Sequence, residues 1–242
     1  MAIASENAHE LVPPNMPSLI HFPLDPFSRR IRLALAEYGA GFEPIEETPW
    51  NPGGDLFQLN PAGTLPVWLE DGETAIASVE AIGEYLEETR GLRQTLIPGD
   101  AVQRAEVRRL VSWFDIKFYA EVSEPVLTEK IIRRFLPREQ GGGAPDMGRV
   151  RLALGRLRDH LDYLGQLADR RTWLAGDELS LADLAAAGHL SAVDYLGDIP
   201  WSDFPAAKAW YQRIKSRPSF RPLLADTVRG LAPHAGYADL DF

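Results

Sequence analysis

Hydrophobic and polar positions follow two different repeats along this chain of 242 residues. Between residues 18 and 88, short apolar runs alternate with amphipathic stretches, which is typical of strands that alternate with helices. The predicted elements are strand 19–22, helix 25–38, strand 42–46, a short helix around Leu56 and Phe57, strands 66–69 and 74–77, and helix 79–89. This order predicts a small α/β domain.

Local signals place the ends of several of these elements. Asp25 is a good N-cap and Pro26 suits the first helical position, so the first helix is expected to begin there. Pro44 cannot donate a ladder hydrogen bond, which favours an edge position for the second strand. Asp71-Gly72 is a strong signal for a hairpin between the last two strands, and Ser78 is expected to cap the helix that follows.

After Ile97-Pro98-Gly99, the pattern becomes helical almost to the end of the chain. Asp100 and Gln103 fit a capping box, and a long helix is predicted from there to about Val122. Helical periodicity continues over 128–135, 147–167, 181–195 and 204–217. The chain is thus predicted to have a two-domain α+β fold. Its parts are an N-terminal extension (1–16), an α/β domain (17–92), a linker (93–100), an all-α domain (101–227) and a C-terminal tail (228–242).

Composition excludes several classes of function. The absence of cysteine excludes disulfides, thiolate zinc sites and thiol redox chemistry. A net charge of −10 argues against nucleic-acid and anionic-membrane partners. The five histidines show no paired ligand spacing, so neither a metal nor a cofactor is expected. Residues 1–16 lack the basic start and apolar centre of a signal peptide, so the cytoplasm is the expected location.

Arginine clusters stand out against the acidic composition, and we expect each to lie on a solvated helix face. The first comprises Arg29, Arg30 and Arg32, and the second Arg149, Arg151, Arg156 and Arg158.

Three segments, in order and suitably spaced, resemble the glutathione transferase superfamily over residues 18–225. They are Asp25–Arg32 after the first strand, Asn60–Val67 before the hairpin, and Ser180–Asp183 at the start of a core helix. The resemblance implies a thioredoxin-like N-terminal domain, an all-α C-terminal domain and a homodimer of two-fold symmetry. It also implies a cis peptide bond before Pro66, which would present the Leu65 backbone to the cysteinyl part of glutathione.

At position 25, the resemblance implies a Ser or Cys that donates a hydrogen bond to the glutathione thiolate. An ionised Asp25 can only accept hydrogen bonds. Two unit charges about 4 Å apart also repel by roughly 1 kcal/mol in water and about 4 kcal/mol at an effective dielectric near 20. Asp25 would therefore raise the pKa of the glutathione thiol. Ser28 could take over the role only if glutathione bound in a shifted position.

At positions 77 and 78, the resemblance implies an acidic residue or Gln followed by Ser, which grip the γ-glutamyl group. Ser78 remains, but Ala77 cannot pair with the ammonium group, and the loss of a charged hydrogen bond costs roughly 1.5–3 kcal/mol. We therefore expect no catalytic residue and no glutathione conjugation. The vestigial glutathione site comprises Asp25, Leu65, Pro66, Ala77 and Ser78.

Two features suit partner binding instead. Trp50 lies among turn residues, where it either packs on its own domain or anchors a partner. The tail keeps large apolar side chains, which are uncommon in a purely disordered end, so it docks on the protein's own surface, meets a partner, or does both. The expected partner-binding residues are Trp50, Tyr237, Asp239, Leu240 and Phe242.

Within the superfamily, these departures resemble a branch of cell-division proteins from alphaproteobacteria. That resemblance implies a homodimer that binds the tubulin-like GTPase FtsZ, changes the curvature and bundling of its filaments, and promotes constriction at the division site. Two alternatives stay open. One is an active glutathione transferase or lyase that uses glutathione in another pose, and the other is a scaffold for an unrelated partner.

Overall fold

The computed structural model describes residues 16–72 and 74–242, so the predicted extension lies outside the described residues except for Met16. The N-terminal half contains β1 (Ser18–His21), α1 (Pro26–Glu37), β2 (Glu43–Glu46), α2 (Gly54–Leu59), β3 (Val67–Leu69), β4 (Ala75–Ala77) and α3 (Val79–Arg90). The predicted strands and helices of this half are all present. Asp25 and Ser78 cap α1 and α3 as expected.

The four strands form one sheet in the order β2-β1-β3-β4. β1 pairs in parallel with β2 and antiparallel with β3, and β3 forms the predicted hairpin with β4. β2 lies at an edge, as Pro44 predicts. Side chains alternate across the sheet: Leu19 and Trp68 pack with α1 and α3, whereas Ile20 and Val67 pack on the opposite face with Leu56 of α2.

The second half is helical. One continuous helical segment runs through α4 (Ala101–Ser112), π-helical turns at Trp113–Ser123, α5 (Glu124–Leu127), further π-helical turns at Thr128–Ile132, and α6 (Arg133–Phe135). The remaining helices are α7 (Met147–Ala168), α8 (Leu181–Tyr195), α9 (Pro205–Lys215) and α10 (Arg221–Leu224). In the part of the chain that the structure describes, none of the helices combines the length and the apolar character that crossing a membrane requires.

The α8 helix is the centre of the molecule, because all of its residues are buried. Asp183 fixes its start by accepting hydrogen bonds from the backbone N–H and the hydroxyl of Ser180, both at 3.1 Å. At Gly188, an added Cβ would lie 2.6 Å from the carbonyl oxygen of Pro26, so the first turn of α1 rests directly on α8. This contact places Asp25, the cap of α1, between the two halves of the chain.

Candidate functional site

A cleft opens where the N-terminus of α1 faces the helical segment of the second half. Its cavity volume is about 230 Å³. The lining is mostly apolar, with Phe22, Leu24, Phe27, Leu65, Leu127 and Ile131 among its walls. The polar lining residues include Asp25, Thr64, Tyr119, Glu124 and Thr128. Two residues of the predicted vestigial glutathione site, Asp25 and Leu65, line this cleft.

The Asp25 carboxylate accepts hydrogen bonds from the first turn of its own helix, α1. Its Oδ2 accepts hydrogen bonds from the Ser28 backbone N–H at 2.7 Å and from the Ser28 hydroxyl at 2.6 Å. Burial raises the pKa of Asp25 to about 6, although these hydrogen bonds oppose the rise. Ser28 is fully buried and donates its hydroxyl to Asp25. In this arrangement, position 25 supplies no hydrogen-bond donor to a thiolate, and the Ser28 donor is already used.

The other residues of the predicted vestigial site fall into two groups. The Leu65–Pro66 peptide bond is cis, as the resemblance implies, and Leu65 lines the cleft beside Asp25. Ala77 and Ser78 lie at the junction of β4 and α3 and are not among the residues that line the cleft. Ser78 has a φ of +76° and its hydroxyl accepts a hydrogen bond from the Ala81 N–H at 3.2 Å. Its hydroxyl therefore serves as a helix cap.

Trp50 bridges the two halves of the chain. Its ring stacks on Phe135 of α6, with centroids 4.5 Å apart, and meets the edge of Phe22 at 5.2 Å. The side chain is half-buried. Of the two interpretations of this loop tryptophan, packing against its own chain is therefore present, while part of the ring stays accessible to a partner.

The tail docks on the protein's own surface. Tyr237 is fully buried, and its hydroxyl donates to the Leu223 carbonyl at 3.0 Å and accepts from Arg29 Nη1 at 2.8 Å. The Tyr195 hydroxyl also donates to the Leu231 carbonyl at 2.6 Å. The expectation that Tyr237 contacts a partner is therefore incompatible with its position, because no part of this side chain reaches solvent.

The last residues of the tail are more exposed. Phe242 is half-buried against Trp201 and Tyr211, and its ring centre lies 4.1 Å from the buried Lys215 Nζ. Asp239 and Leu240 are exposed between Tyr237 and Phe242. The tail thus forms a strap that is held at both ends and presents an acidic and apolar segment to solvent.

The first arginine cluster does not lie on a solvated helix face, and that prediction is wrong. Arg29 Nη2 lies 3.1 Å from Asp226 Oδ2, and Arg32 Nη2 lies 2.8 Å from Asp226 Oδ1. Arg30 pairs with the buried Asp115, which also faces His189 Nε2 at 3.2 Å. These pairs bind α1 to the helical half and to the segment before the tail. The second cluster is exposed on α7, as predicted.

No sequence signal pointed to this buried polar network, because its partners are distant in the chain. Ser123 Oγ lies 2.8 Å from His189 Nδ1, so the imidazole bridges Ser123 and Asp115. Burial lowers the pKa of His189, so the ring is neutral near pH 7. Among residues 16–72 and 74–242, no group of three or more His, Asp or Glu side chains is arranged to hold a metal ion.

Comparison with known proteins places this architecture in a family. Residues 26–89 match the N-terminal domain of glutathione S-transferases, and residues 119–213 match the C-terminal domain. The chain is 48% identical over 228 residues to a protein named FtsZ-localized protein A from Caulobacter vibrioides, which covers 93% of this chain and 98% of that protein.

Two solved structures resemble the chain over almost its whole length. One is named FzlA from C. crescentus, with a TM-score of 0.88 and 47% identity, covering 94% of this chain and 100% of that one. The other is named a glutathione S-transferase from Sinorhizobium meliloti 1021, with a TM-score of 0.90 and 51% identity over the same shares. The predicted fold, a thioredoxin-like N-terminal domain followed by a helical C-terminal domain, is therefore confirmed. The chain belongs to the glutathione S-transferase family.

Proposed function

We propose that this protein is a non-enzymatic member of its family that binds FtsZ as a homodimer in the cytoplasm. At the division site, it changes the curvature and bundling of FtsZ filaments and so promotes constriction. The observation that carries the proposal is the 48% identity, over nearly the full length of both chains, to a protein named FtsZ-localized protein A. The likeness to the structure named FzlA supports the same conclusion.

The chemistry of the cleft supports a non-enzymatic role. Asp25 would place a carboxylate beside a forming thiolate, which raises the pKa of the thiol and weakens the nucleophile. The Ser28 hydroxyl is already committed to Asp25 at 2.6 Å. Ala77 lacks the group that would pair with the glutathione ammonium. These features act on the same ligand, so both affinity and reactivity are reduced.

The partner surface that we propose consists of Asp239, Leu240 and the accessible parts of Trp50 and Phe242. Tyr237 supports this surface from inside by holding the tail on Arg29. An aromatic anchor supplies a large contact area at low entropic cost. Trp50→Ala removes that area and should therefore weaken binding by about 2 kcal/mol or more. The acidic tail is suited to a basic patch on FtsZ.

Co-sedimentation with polymerised FtsZ tests the proposal. Asp239→Lys reverses a charge on the exposed tail and should strongly reduce the fraction that sediments. Glu178→Lys, at an exposed position away from the tail, makes the same charge change and should bind as the parent does. Circular dichroism confirms that both variants fold. If the parent stays in the supernatant at every FtsZ concentration, the proposed partner is wrong.

A second candidate is an active glutathione transferase or lyase with an atypical site. It is favoured by the 51% identity to the structure named a glutathione S-transferase. Calorimetry with glutathione separates the two. A dissociation constant in the low micromolar range would support the enzyme, whereas the proposed binding protein should show no heat of binding below millimolar concentrations.

A further inference from the structure

The charge of the α1 cleft is opposite to the charge that an anionic ligand such as glutathione requires. Among the residues that line this cleft in the described chain, none is Lys, Arg or His. Two carboxylates are present, Asp25 and Glu124. The charge of Glu124 is balanced by an ion pair with Arg149, whose Nη2 lies 2.5 Å from Glu124 Oε2. Asp25 accepts hydrogen bonds from neutral groups of Ser28, so its charge is not balanced by a cation.

The walls around this carboxylate are apolar and aromatic. Phe22, Phe27 and Tyr119 all line the cleft, and the rings of Phe27 and Tyr119 lie 4.8 Å apart. Burial, together with the charges of Asp25 and Glu124, raises the pKa of Tyr119, so its hydroxyl stays neutral. Aromatic rings attract cations that are removed from water. A lone carboxylate in apolar surroundings is also stabilised by a cation that brings its own apolar body.

We propose that this cleft binds a small primary amine with an apolar body, whose ammonium group pairs with Asp25 while the body contacts the apolar walls. A cavity of about 230 Å³ is small for a ligand site and fits a single ring or a short alkyl chain. A bare metal ion would leave the apolar walls uncovered, and Glu124 is already paired with Arg149. This activity is separate from FtsZ binding and does not depend on it.

Three ligands with one alkyl chain and different head groups test the inference: octylamine, octanol and octanoate. Calorimetry on the full-length protein at pH 7.5 and constant salt should give tighter binding of octylamine than of octanol by roughly ten-fold, since a buried charge pair is added. Octanoate should bind more weakly than octanol. If octanoate binds as tightly as octylamine, the inference is wrong.

Variants locate the preference at Asp25. Asp25→Asn keeps a good helix cap and removes the charge, so the three ligands should bind with affinities that differ less than about three-fold. Asp177→Asn makes the same change in net charge at an exposed position and should keep the preference for octylamine. Thr128→Phe should weaken all three ligands, because its ring fills the cleft. An unchanged preference in Asp25→Asn would mean attraction to the overall charge of −10 and would overturn the proposal.

The dependence on pH gives an independent measurement. The titratable groups near Asp25 on neighbouring elements are Asp115, which acts on its charge, and Tyr119 and Glu124, which line the same cleft; His189 lies behind them as the partner of Asp115. Arg30 lowers the pKa of Asp115 although burial opposes it, and burial lowers the pKa of His189. Asp25, with a pKa of about 6, therefore gains a proton between pH 7.5 and pH 5, while octylamine stays protonated. Octylamine should bind several-fold more weakly at pH 5 in the parent but not in Asp25→Asn; an equal loss in both would contradict the assignment.

Discussion

Asp25 combines a useful hydrogen-bonding role with an unfavourable charge. It caps α1 through Ser28, yet burial raises its pKa to about 6 from an ordinary value of 3.8. The folded protein therefore holds this proton more tightly than the unfolded chain does. The contribution of Asp25 to stability is fully present below about pH 4 and is lost as the pH rises through 6.

Asp25→Asn should consequently stabilise the protein at pH 8, because Asn keeps the cap without the charge. We expect a gain of about 1–2 kcal/mol in the free energy of unfolding at pH 8, which shrinks toward zero near pH 4. Urea denaturation of parent and variant at both pH values measures this difference. A gain of the same size at pH 4 would show that the charge is not its cause.

Asp226 is a different case, because it balances two buried cations at once. Arg29 has no exposed side-chain area, and the Arg32 side chain is 10% exposed. Removing the partner of a buried ion pair leaves an uncompensated charge, which is more costly than the net gain from the pair. Asp226→Asn should therefore lower the free energy of unfolding by about 3–5 kcal/mol.

The matched control is Asp203→Asn. Asp203 pairs with Arg158 at 2.9 Å, but both side chains are about half exposed. Exposed ion pairs contribute little, so the control should lose less than about 1 kcal/mol. Guanidinium denaturation compares the two variants. Equal losses would indicate that burial does not determine the cost.

Individual residues explain why sequence reasoning succeeded for caps and failed for charges. The Asp25 and Ser78 caps bond to residues three positions away, so their signals are local. Arg29 and Arg149 belong to clusters of similar composition, yet one is buried and the other exposed. The buried arginine depends on Asp226, almost two hundred positions along the chain. No local pattern can distinguish these two environments.

At the scale of elements, the sequence predicts helix ends well except in the segment 101–135. The sequence predicts one helix that ends near Val122 and another over 128–135, but the helical turns run without a break from Ala101 to Phe135. The buried residues Phe114, Phe118, Val122 and Val126 recur every four positions. In a helix with 3.6 residues per turn, side chains spaced four positions apart move gradually around the helix. The wider π-helical turns observed here keep them closer to one face. The periodicity therefore indicated helix without indicating its pitch.

The tail was short and broken by Gly and Pro, so its sequence left both docking and partner binding open. The structure divides the tail by burial. Tyr237 belongs to the core with Arg29, whereas Asp239 and Leu240 face solvent. A truncation after Ala232 therefore removes part of the core together with the proposed partner surface, and cannot test binding alone.

Two truncations should separate these roles. Removal of residues 239–242 takes away Phe242 and its contact with Lys215 and should cost about 1 kcal/mol. Removal of residues 233–242 also takes away the buried Tyr237 and should cost about 3–5 kcal/mol. Thermal and urea unfolding measure both. Similar stability of the two truncated chains would contradict the assignment of Tyr237 to the core.

At the scale of the whole molecule, the two halves and their order were predictable because strand and helix patterns alternate in the first half, whereas only the helical pattern occurs in the second. The cleft between them was predictable only through the family resemblance. Its uncompensated carboxylate depends on which charges the helical half brings to Asp25, and Glu124 and Arg149 are contributed by α5 and α7. Similarly, the groove between α3 and α4 exists only in the folded chain. It is lined by Glu84, Val107, Val111 and Ile116, and Ile116 is 65% exposed.

This groove is where we expect a second copy of the chain to bind, because a large exposed apolar side chain in a groove suits a closed two-fold interface. Light scattering of the parent at micromolar concentration should give twice the chain mass of 26.9 kDa. Ile116→Asp should give the single-chain mass, whereas Leu92→Asp, at an exposed apolar position outside the groove, should stay dimeric. A monomeric parent would remove the dimer from the proposed function.

Under the proposed function, dimerisation matters because one tail per chain would give a monomer one contact with FtsZ and a dimer two. Two contacts on one particle can bridge filaments, and the second contact forms at a high effective concentration once the first has formed. Ile116→Asp should therefore still co-sediment with FtsZ polymer, but with affinity reduced by roughly ten-fold or more, and it should not bundle filaments in electron micrographs. Asp239→Lys should lose both binding and bundling while it stays dimeric. If the Ile116→Asp monomer bundles filaments as well as the parent does, bridging by paired tails is not the mechanism.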